Sequence, residues 1–290
     1  MSAVTSQYPG SGLTLVGDRW DADQESDRGL VLLLHGGGQT RHSWRSTGSD
    51  LAAVGWTAVA LDARGHGDSE WASDGDYGVD ALVADLAAAV RELGRPPVLV
   101  GASMGGMTSL LAVGRWPELA RALVLVDIVP RMDSGGVAEI GEFMRSGLDG
   151  FASLGEAADA VMRYNPHRPK PPSPDGLRRN LRLRDGRWYW HWDPAFLALG
   201  DEPNRSKESS PRTPYLRSKE AAENVRVPTL VVRGQHSRVV TDEGVREMRS
   251  LVPHAEYLEV GGAGHMVAGD SNDVFATGLV AFLDRHLGPG

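Results

Sequence analysis

The residues best suited to covalent chemistry are a serine held between glycines and a second, glycine-rich run upstream of it. Gly101-Ala102-Ser103-Met104-Gly105 is a G-x-S-x-G sequence. The apolar run Val98–Val100 precedes it, and a helical stretch with Leu110, Leu111 and Val113 follows. Strand, tight turn and helix in that order lift a hydroxyl clear of a sheet edge, and the flanking glycines leave room for the turn. A serine so presented acts as a nucleophile once a base takes its proton. The Met104 amide, at the start of the helix, points toward charge developing beside that oxygen. His35-Gly36-Gly37-Gly38 offers a second donor, because successive glycines let the backbone approach another group with no Cβ in the way. Gly37 is the expected donor and Gly38 the second candidate, expected otherwise to stand against a bound molecule. Each donor to an oxyanion is worth about 3 kcal/mol of barrier. Plain glycine turns would explain either motif alone, but account less well for the two together.

The elements that must position these groups are legible as apolar runs. Leu30–Leu34 is continuous and reads as a strand covered on both faces, leading straight into the glycine loop. Trp56–Leu61, Ala122–Val126 and Pro228–Arg233 read as further core strands, Ala255–Val260 as the last strand, and Leu13–Trp20 as one or two antiparallel strands. Val79, Leu82, Val83, Leu86, Val90 and Leu93 follow helical spacing, stopped by Gly94. His42–Leu51 reads as a further helix. Asp62-Ala-Arg-Gly-His-Gly-Asp-Ser69 carries a histidine among carboxylates. Its expected role is structural, with Asp62 and Arg64 tying the loop to its neighbours, since no second histidine stands at metal-ligand spacing.

Composition narrows the possibilities. The chain has 290 residues, 41% of them hydrophobic, which suits one α/β core carrying an insertion. Its net charge is −8 with no basic stripe, which argues against a nucleic-acid partner. It has no cysteine, so neither disulfides nor thiolate metal sites arise. No leader segment and no apolar run near ~20 residues is visible, so the expectation is a cytoplasmic protein with no membrane partner.

His35-Gly-Gly-Gly, Asp62-Ala-Arg-Gly-His-Gly-Asp-Ser69 and Gly101-Ala-Ser-Met-Gly-Gly106, in this order, resemble the α/β-hydrolase superfamily. They are most similar to its branch of bacterial esterases, lactonases and cofactor-free haloperoxidase (perhydrolase) enzymes. The likeness covers about residues 10–130 and 225–288. It implies a mostly parallel central sheet with helices on both faces and a mainly helical cap inserted after the sixth strand. The expected core is 1–130 with 225–290, and the expected cap 131–224. Within that insertion, helical stretches fall near 136–146 and 153–164, followed by a proline-rich loop (166–174) and a polar stretch (201–218). Trp188, Trp190 and Trp192 alternate. They are expected either to line an apolar substrate cavity or to anchor the insertion to the core.

The resemblance also locates an acid and a base. The superfamily usually carries its acid three residues beyond a glycine after the strand that ends here at Arg233. That register, Gly234-Gln-His-Ser237, holds a serine instead. A hydroxyl cannot supply the negative charge that stabilises imidazolium, an effect worth about 10⁴ in rate. Asp127, which closes the strand 122–126, is the expected substitute, as in a group of haloalkane dehalogenases that the chain resembles in this respect. Asp242 and the absence of any carboxylate are the remaining alternatives. The base in this superfamily stands in a glycine-rich loop after the last strand, here Gly261-Gly-Ala-Gly-His265. The order Ser103, Asp127, His265 is the order of the superfamily. His236, His254 and His286 lack that context. The expected activity is cleavage of an apolar carboxylic ester or lactone through an acyl-enzyme on Ser103, needing no cofactor or metal. A hydrolase-fold receptor with weak catalysis, a perhydrolase and a C–C bond hydrolase remain as alternatives. Epoxide hydrolases and dehalogenases need a carboxylate where Ser103 stands.

Overall fold

Strands that are apolar on both faces must be covered from both sides, and the chain supplies helices for each. The computed structural model describes residues 2–23, 27–165, 173–200, 213–265, 267 and 273–288. Among these, β3 (Gly29–Leu34), β4 (Trp56–Leu61), β5 (Val98–Ala102) and β6 (Ala122–Val126) have no exposed residue. They pair in parallel in the order β4-β3-β5-β6, continued by β9 (Thr229–Gly234) and β10 (Glu256–Val260). The other edge is an antiparallel hairpin, β1 (Val4–Pro9) and β2 (Thr14–Trp20), with β2 antiparallel to β4. This is the expected sheet; the stretch Leu13–Trp20 forms one antiparallel strand, β2, and its partner β1 lies upstream of it.

Successive side chains leave a strand on opposite faces. Leu99, Leu123 and Leu125 therefore join the apolar layer under α2 (Val79–Leu93), α3 (Met104–Arg115) and α7 (Asp242–Leu251). Val98, Val100 and Val124 join the opposite layer, under α1 (Arg45–Ala53) and α8 (Asp273–Leu287), with Trp20, Trp44, Trp56 and Phe282. Gly94 ends α2 in the left-handed conformation, φ +72°, as its position after the last apolar residue foretold. Arg64 binds Asp85 of α2 through two nitrogens at 2.6 and 2.7 Å, and the Arg41 amide donates to Asp62 at 2.7 Å. The 62–69 loop is thus anchored by the two residues expected to do it.

Between β6 and β9 the chain leaves the sheet. Here α4 (Ser134–Arg145), α5 (Leu154–Tyr164) and a short hairpin, β7 (Leu181–Arg184) with β8 (Arg187–Trp190), build a small apolar cluster of their own. Both helices fall where the periodicity put them, whereas the hairpin has no run of strand length in the sequence. Most of the proline-rich loop and of the polar stretch lies outside the described residues. The end of the polar stretch forms α6 (Pro214–Glu223), placed in the insertion by the sequence. It packs on the core instead: Ala221 and Ala222 share the apolar layer of Leu110 and Val113, and a Cβ on Gly114 would lie 2.6 Å from Ala221. Small residues on both helices allow that approach, and so weak an apolar stripe does not announce it.

The glycines around Ser103 are required for space. A Cβ on Gly101 would lie 2.4 Å from the Gly105 carbonyl oxygen, and one on Gly105 would lie 2.5 Å from that of Leu34. Gly105→Ala therefore overpacks α3 against β3. A loss of about 1–3 kcal/mol is expected, read as a lower urea midpoint at unchanged slope.

Candidate active site

Ser103 and Asp127 follow the last residues of adjacent parallel strands, at the sheet edge where ligands of such folds collect. Both have left-handed backbones, φ 45° and 52°, which each side chain adopts only under constraint. The constraint is visible: the Ser103 amide donates to the Val126 carbonyl at 3.0 Å and the Asp127 amide to that of Val232 at 2.7 Å. The loop after β10 brings His265 over both. The Ser103 hydroxyl donates to His265 Nε2 at 3.0 Å, and His265 Nδ1–H donates to Asp127 Oδ2 at 2.6 Å. With a carboxylate at Nδ1, the proton stays on that nitrogen and leaves Nε2 as an acceptor.

Ser237 does not reach the imidazole. Its hydroxyl donates to Asp127 Oδ2 at 2.6 Å and accepts from the amides of Val239 and Val240 at 3.2 and 3.0 Å. The Gly234 amide donates to Asp127 Oδ1 at 3.1 Å. Asp127 is fully buried, and three donors together take up its two oxygens. Asp242 lies at the first position of α7, 75% exposed and paired with Arg233. His254 Nε2–H donates to the Val227 carbonyl, and His286 faces Glu256, both on the surface.

Gly37 and Met104 line one cavity with Ser103 and His265. Peptide planarity fixes the direction of the Gly37 amide. The Gly36 carbonyl accepts from His35 Nδ1 at 2.8 Å and from the Gln39 amide at 3.0 Å, so the trans Gly37 N–H points the opposite way. Met104 opens α3, where amides have no carbonyl one turn earlier to bond. The Gly38 amide is committed elsewhere, to His66 Nε2 at 3.1 Å.

The cavity holds about 350 Å³ and is bounded by Met107, Ile128, Met132, Ile140, Phe143 and Phe196 among others. Among its described lining residues there is no Lys, Arg, Asp or Glu. Tyr164 supplies a hydroxyl, stacked on Phe143 at 4.4 Å and kept neutral by burial, which pushes it up to about 12. None of the three tryptophans is in this wall, which corrects the expectation that they might line it. Trp190 and Trp192 are buried and stacked at 4.9 Å, packing with Phe151, Met144 and the Gly38 backbone. Trp188 lies under Arg178. Their alternation serves the insertion's own cluster. Phe143, Phe196 and Tyr164, which do line the cavity, carry no signal of it in the sequence.

A model of the alpha/beta hydrolase fold matches residues 29–271. The chain belongs to the α/β-hydrolase family. It is 30% identical over 253 residues to an esterase of Mycobacterium tuberculosis, covering 83% of this chain and 78% of that one. The crystal structure of that esterase superposes with a TM-score of 0.73 at 25% identity, over 98% of this chain and 93% of that chain. A 2-(acetamidomethylene)succinate hydrolase of Mesorhizobium japonicum is 28% identical, covering 79% of each chain. An N-formylmaleamate deformylase of Pseudomonas putida is also 28% identical, covering 78% of each. These family members are esterases and other hydrolases, which supports hydrolase activity for this chain. Among the described residues no helix is long and apolar enough to cross a membrane.

Three buried histidines stand behind the glycine loop of this hydrolase. His35 and His66 lie 5.2 Å apart, and His66 and His191 5.8 Å. Every ring nitrogen has a backbone partner: Gly36 and Ala63 for His35, Arg64 and Gly38 for His66, Gly67 and Gly38 for His191. Burial, with His35 beside it, pulls His66 down to about 3, and burial also lowers His35 and His191. The unfolded chain binds protons at these residues near pH 6.5 while the folded one does not, so stability rises with pH up to about 6.5 and is lost below it. Urea unfolding between pH 6.5 and 5, above the range where carboxylates titrate, should show stability falling with pH, with His66 alone approaching a loss of about 1.4 kcal/mol per pH unit. A flat profile there would contradict the neutral state.

Proposed function

We propose that this protein hydrolyses carboxylic esters or lactones of uncharged, apolar acyl groups through an acyl-enzyme on Ser103. The observation that carries the reading is the unbroken line Ser103–His265–Asp127, opening on an apolar cavity. In this reading Ser103 Oγ attacks the carbonyl carbon as His265 Nε2 takes its proton. Asp127 stabilises the imidazolium, and the Gly37 and Met104 amides receive the developing oxyanion. The imidazolium then protonates the departing alkoxide. Water, activated by the same imidazole, hydrolyses the acyl-enzyme to a carboxylic acid and regenerates Ser103. A lactone would give a single hydroxy acid. The segment from residue 131 to about 200 acts as a cap that keeps the site dry.

The choice of acyl group follows from the walls. A dicarboxylate, such as the succinate derivative that names one relative, calls for a cation to pair with, and the described lining offers none. A volume of about 350 Å³ corresponds to roughly a dozen water-sized groups, a short to medium ester. Met107, Met132 and Val137 form one side and also border a second groove, between α3, α4 and α6.

Ser103→Ala should abolish hydrolysis of p-nitrophenyl butyrate and labelling by a fluorophosphonate while the fold persists. Labelling elsewhere with full activity would remove the nucleophile. Lack of any labelling in the native protein, with tight binding of an ester analogue, would favour a receptor. Asp127→Asn should lower kcat by about 10⁴ by analogy with other triads, whereas Asp242→Asn leaves it within a factor of two or so. Met132→Ala should shift the preferred p-nitrophenyl ester to longer chains, seen as a rise in kcat/KM for decanoate relative to butyrate. An unmoved chain-length profile would take Met132 out of the acyl site.

A further inference from the structure

The insertion hydrogen-bonds the proposed oxyanion loop at Gly38. His191, just past β8, is buried. Its Nε2–H donates to the Gly38 carbonyl at 3.3 Å, while its Nδ1 accepts from the Gly67 amide at 2.7 Å. The Gly38 amide is held by His66, itself fixed through the Arg64 carbonyl. Both polar groups of Gly38 are therefore occupied, one by the core and one by the insertion. The Gly38 carbonyl shares a peptide plane with the Gln39 amide, which donates to the Gly36 carbonyl at 3.0 Å, and the Gly36 carbonyl shares a plane with the Gly37 amide. The Gly38 amide, held by His66, shares the intervening plane with the Gly37 carbonyl, so these bonds together set φ and ψ of Gly37, a residue with no side chain to restrain it. The hairpin is seated on the same two loops by further bonds. Arg182 of β7 donates to the Gly67 carbonyl at 3.1 Å and pairs with Asp68 at 2.9 Å, and the Asp193 amide donates to the Gly65 carbonyl at 2.9 Å.

Resting on the reading of Gly37 as an oxyanion donor, we propose that His191 is a positioning residue: through Gly38 it makes the aim of the Gly37 amide depend on the insertion being seated. With the hairpin lifted, the Gly38–Gln39 peptide loses its donor, and once it turns, the Gly36–Gly37 peptide that aims the Gly37 amide is held through His35 alone. With the hairpin seated, the cavity is roofed and the donor is aimed in the same event. Closing over substrate and completing the oxyanion site are then one motion, and an open enzyme holds a misaligned hole.

Two substitutions separate this role from packing. The amide of Gln reaches the position of Nε2, whereas that of Asn reaches the position of Nδ1. His191→Gln thus keeps a donor for Gly38, and His191→Asn keeps only the partner of Gly67. The expected result is a kcat within about threefold of native for Gln. For Asn, kcat falls at least tenfold, KM changes less than threefold, and affinity for a boronic acid that mimics the oxyanion falls in parallel. Equal kcat in both variants, whether native or reduced, overturns the role. Should His191→Gln fail to fold, Arg182→Met loosens the same seat from the surface. It should lower kcat and boronate affinity, and an effect confined to KM overturns the coupling. Fluorophosphonate labelling of native Ser103 is the control. Its absence overturns the hydrolase reading and this role together, while labelling with an unaffected Asn variant overturns only the role of His191.

Discussion

The site depends on how closely the first turn of α3 lies against the backbones of β3 and β5. Gly101, Gly105 and Gly106 have no room for a Cβ: each would meet carbonyl or side-chain atoms at 2.4–2.5 Å. That contact sets the tight angle between strand and helix and drives Ser103 into a left-handed conformation that a serine does not choose. It also brings the Gly105 amide onto the His35 carbonyl at 3.1 Å, linking the serine turn to the start of the glycine loop. The proposed nucleophile and oxyanion loop are therefore registered to each other by backbone.

The buried carboxylate illustrates a second constraint. A charge with no exposure to water persists only where donors replace that water. Asp127 receives a hydroxyl, a ring N–H and a backbone amide, from β9's end, the following turn and the His265 loop. Ser237 stands where the family usually carries its acid and serves as one of these donors. Asp127 stands one strand along the sheet from Ser237, and because β6 and β9 are adjacent and parallel, the two side chains meet beside His265.

The glycine loop is held differently, by neutral histidines. Imidazole offers one donor and one acceptor at fixed separation, so a buried ring can bridge two backbone groups without bringing a charge into the interior. Three such rings connect the loops after β3 and β4 with the hairpin of the insertion. Ion pairs at Arg41–Asp62 and Arg64–Asp85 secure the outer side of the same loops. The 62–69 segment, which looks chemical in sequence, thus acts as scaffold, with His66 the part nearest the chemistry.

Much of this was legible in the residue order, because it is local. Strand runs, the helix stopped by Gly94, the serine turn, and the histidine after the last strand each follow from patterns spanning fewer than twenty residues. The choice of Asp127 over Asp242 was already favoured by strand ends, since a parallel sheet gathers them along one edge. Other features were decided only by the tertiary structure. The tryptophans turned inward to their own cluster, α6 joined the core through Gly114 and Ala221, and His191 reached across more than a hundred residues to Gly38 and Gly67. Each depends on which surfaces meet. Alternation and composition tell which side chains leave water, but not against what they pack, and that choice belongs to contacts distant in the chain.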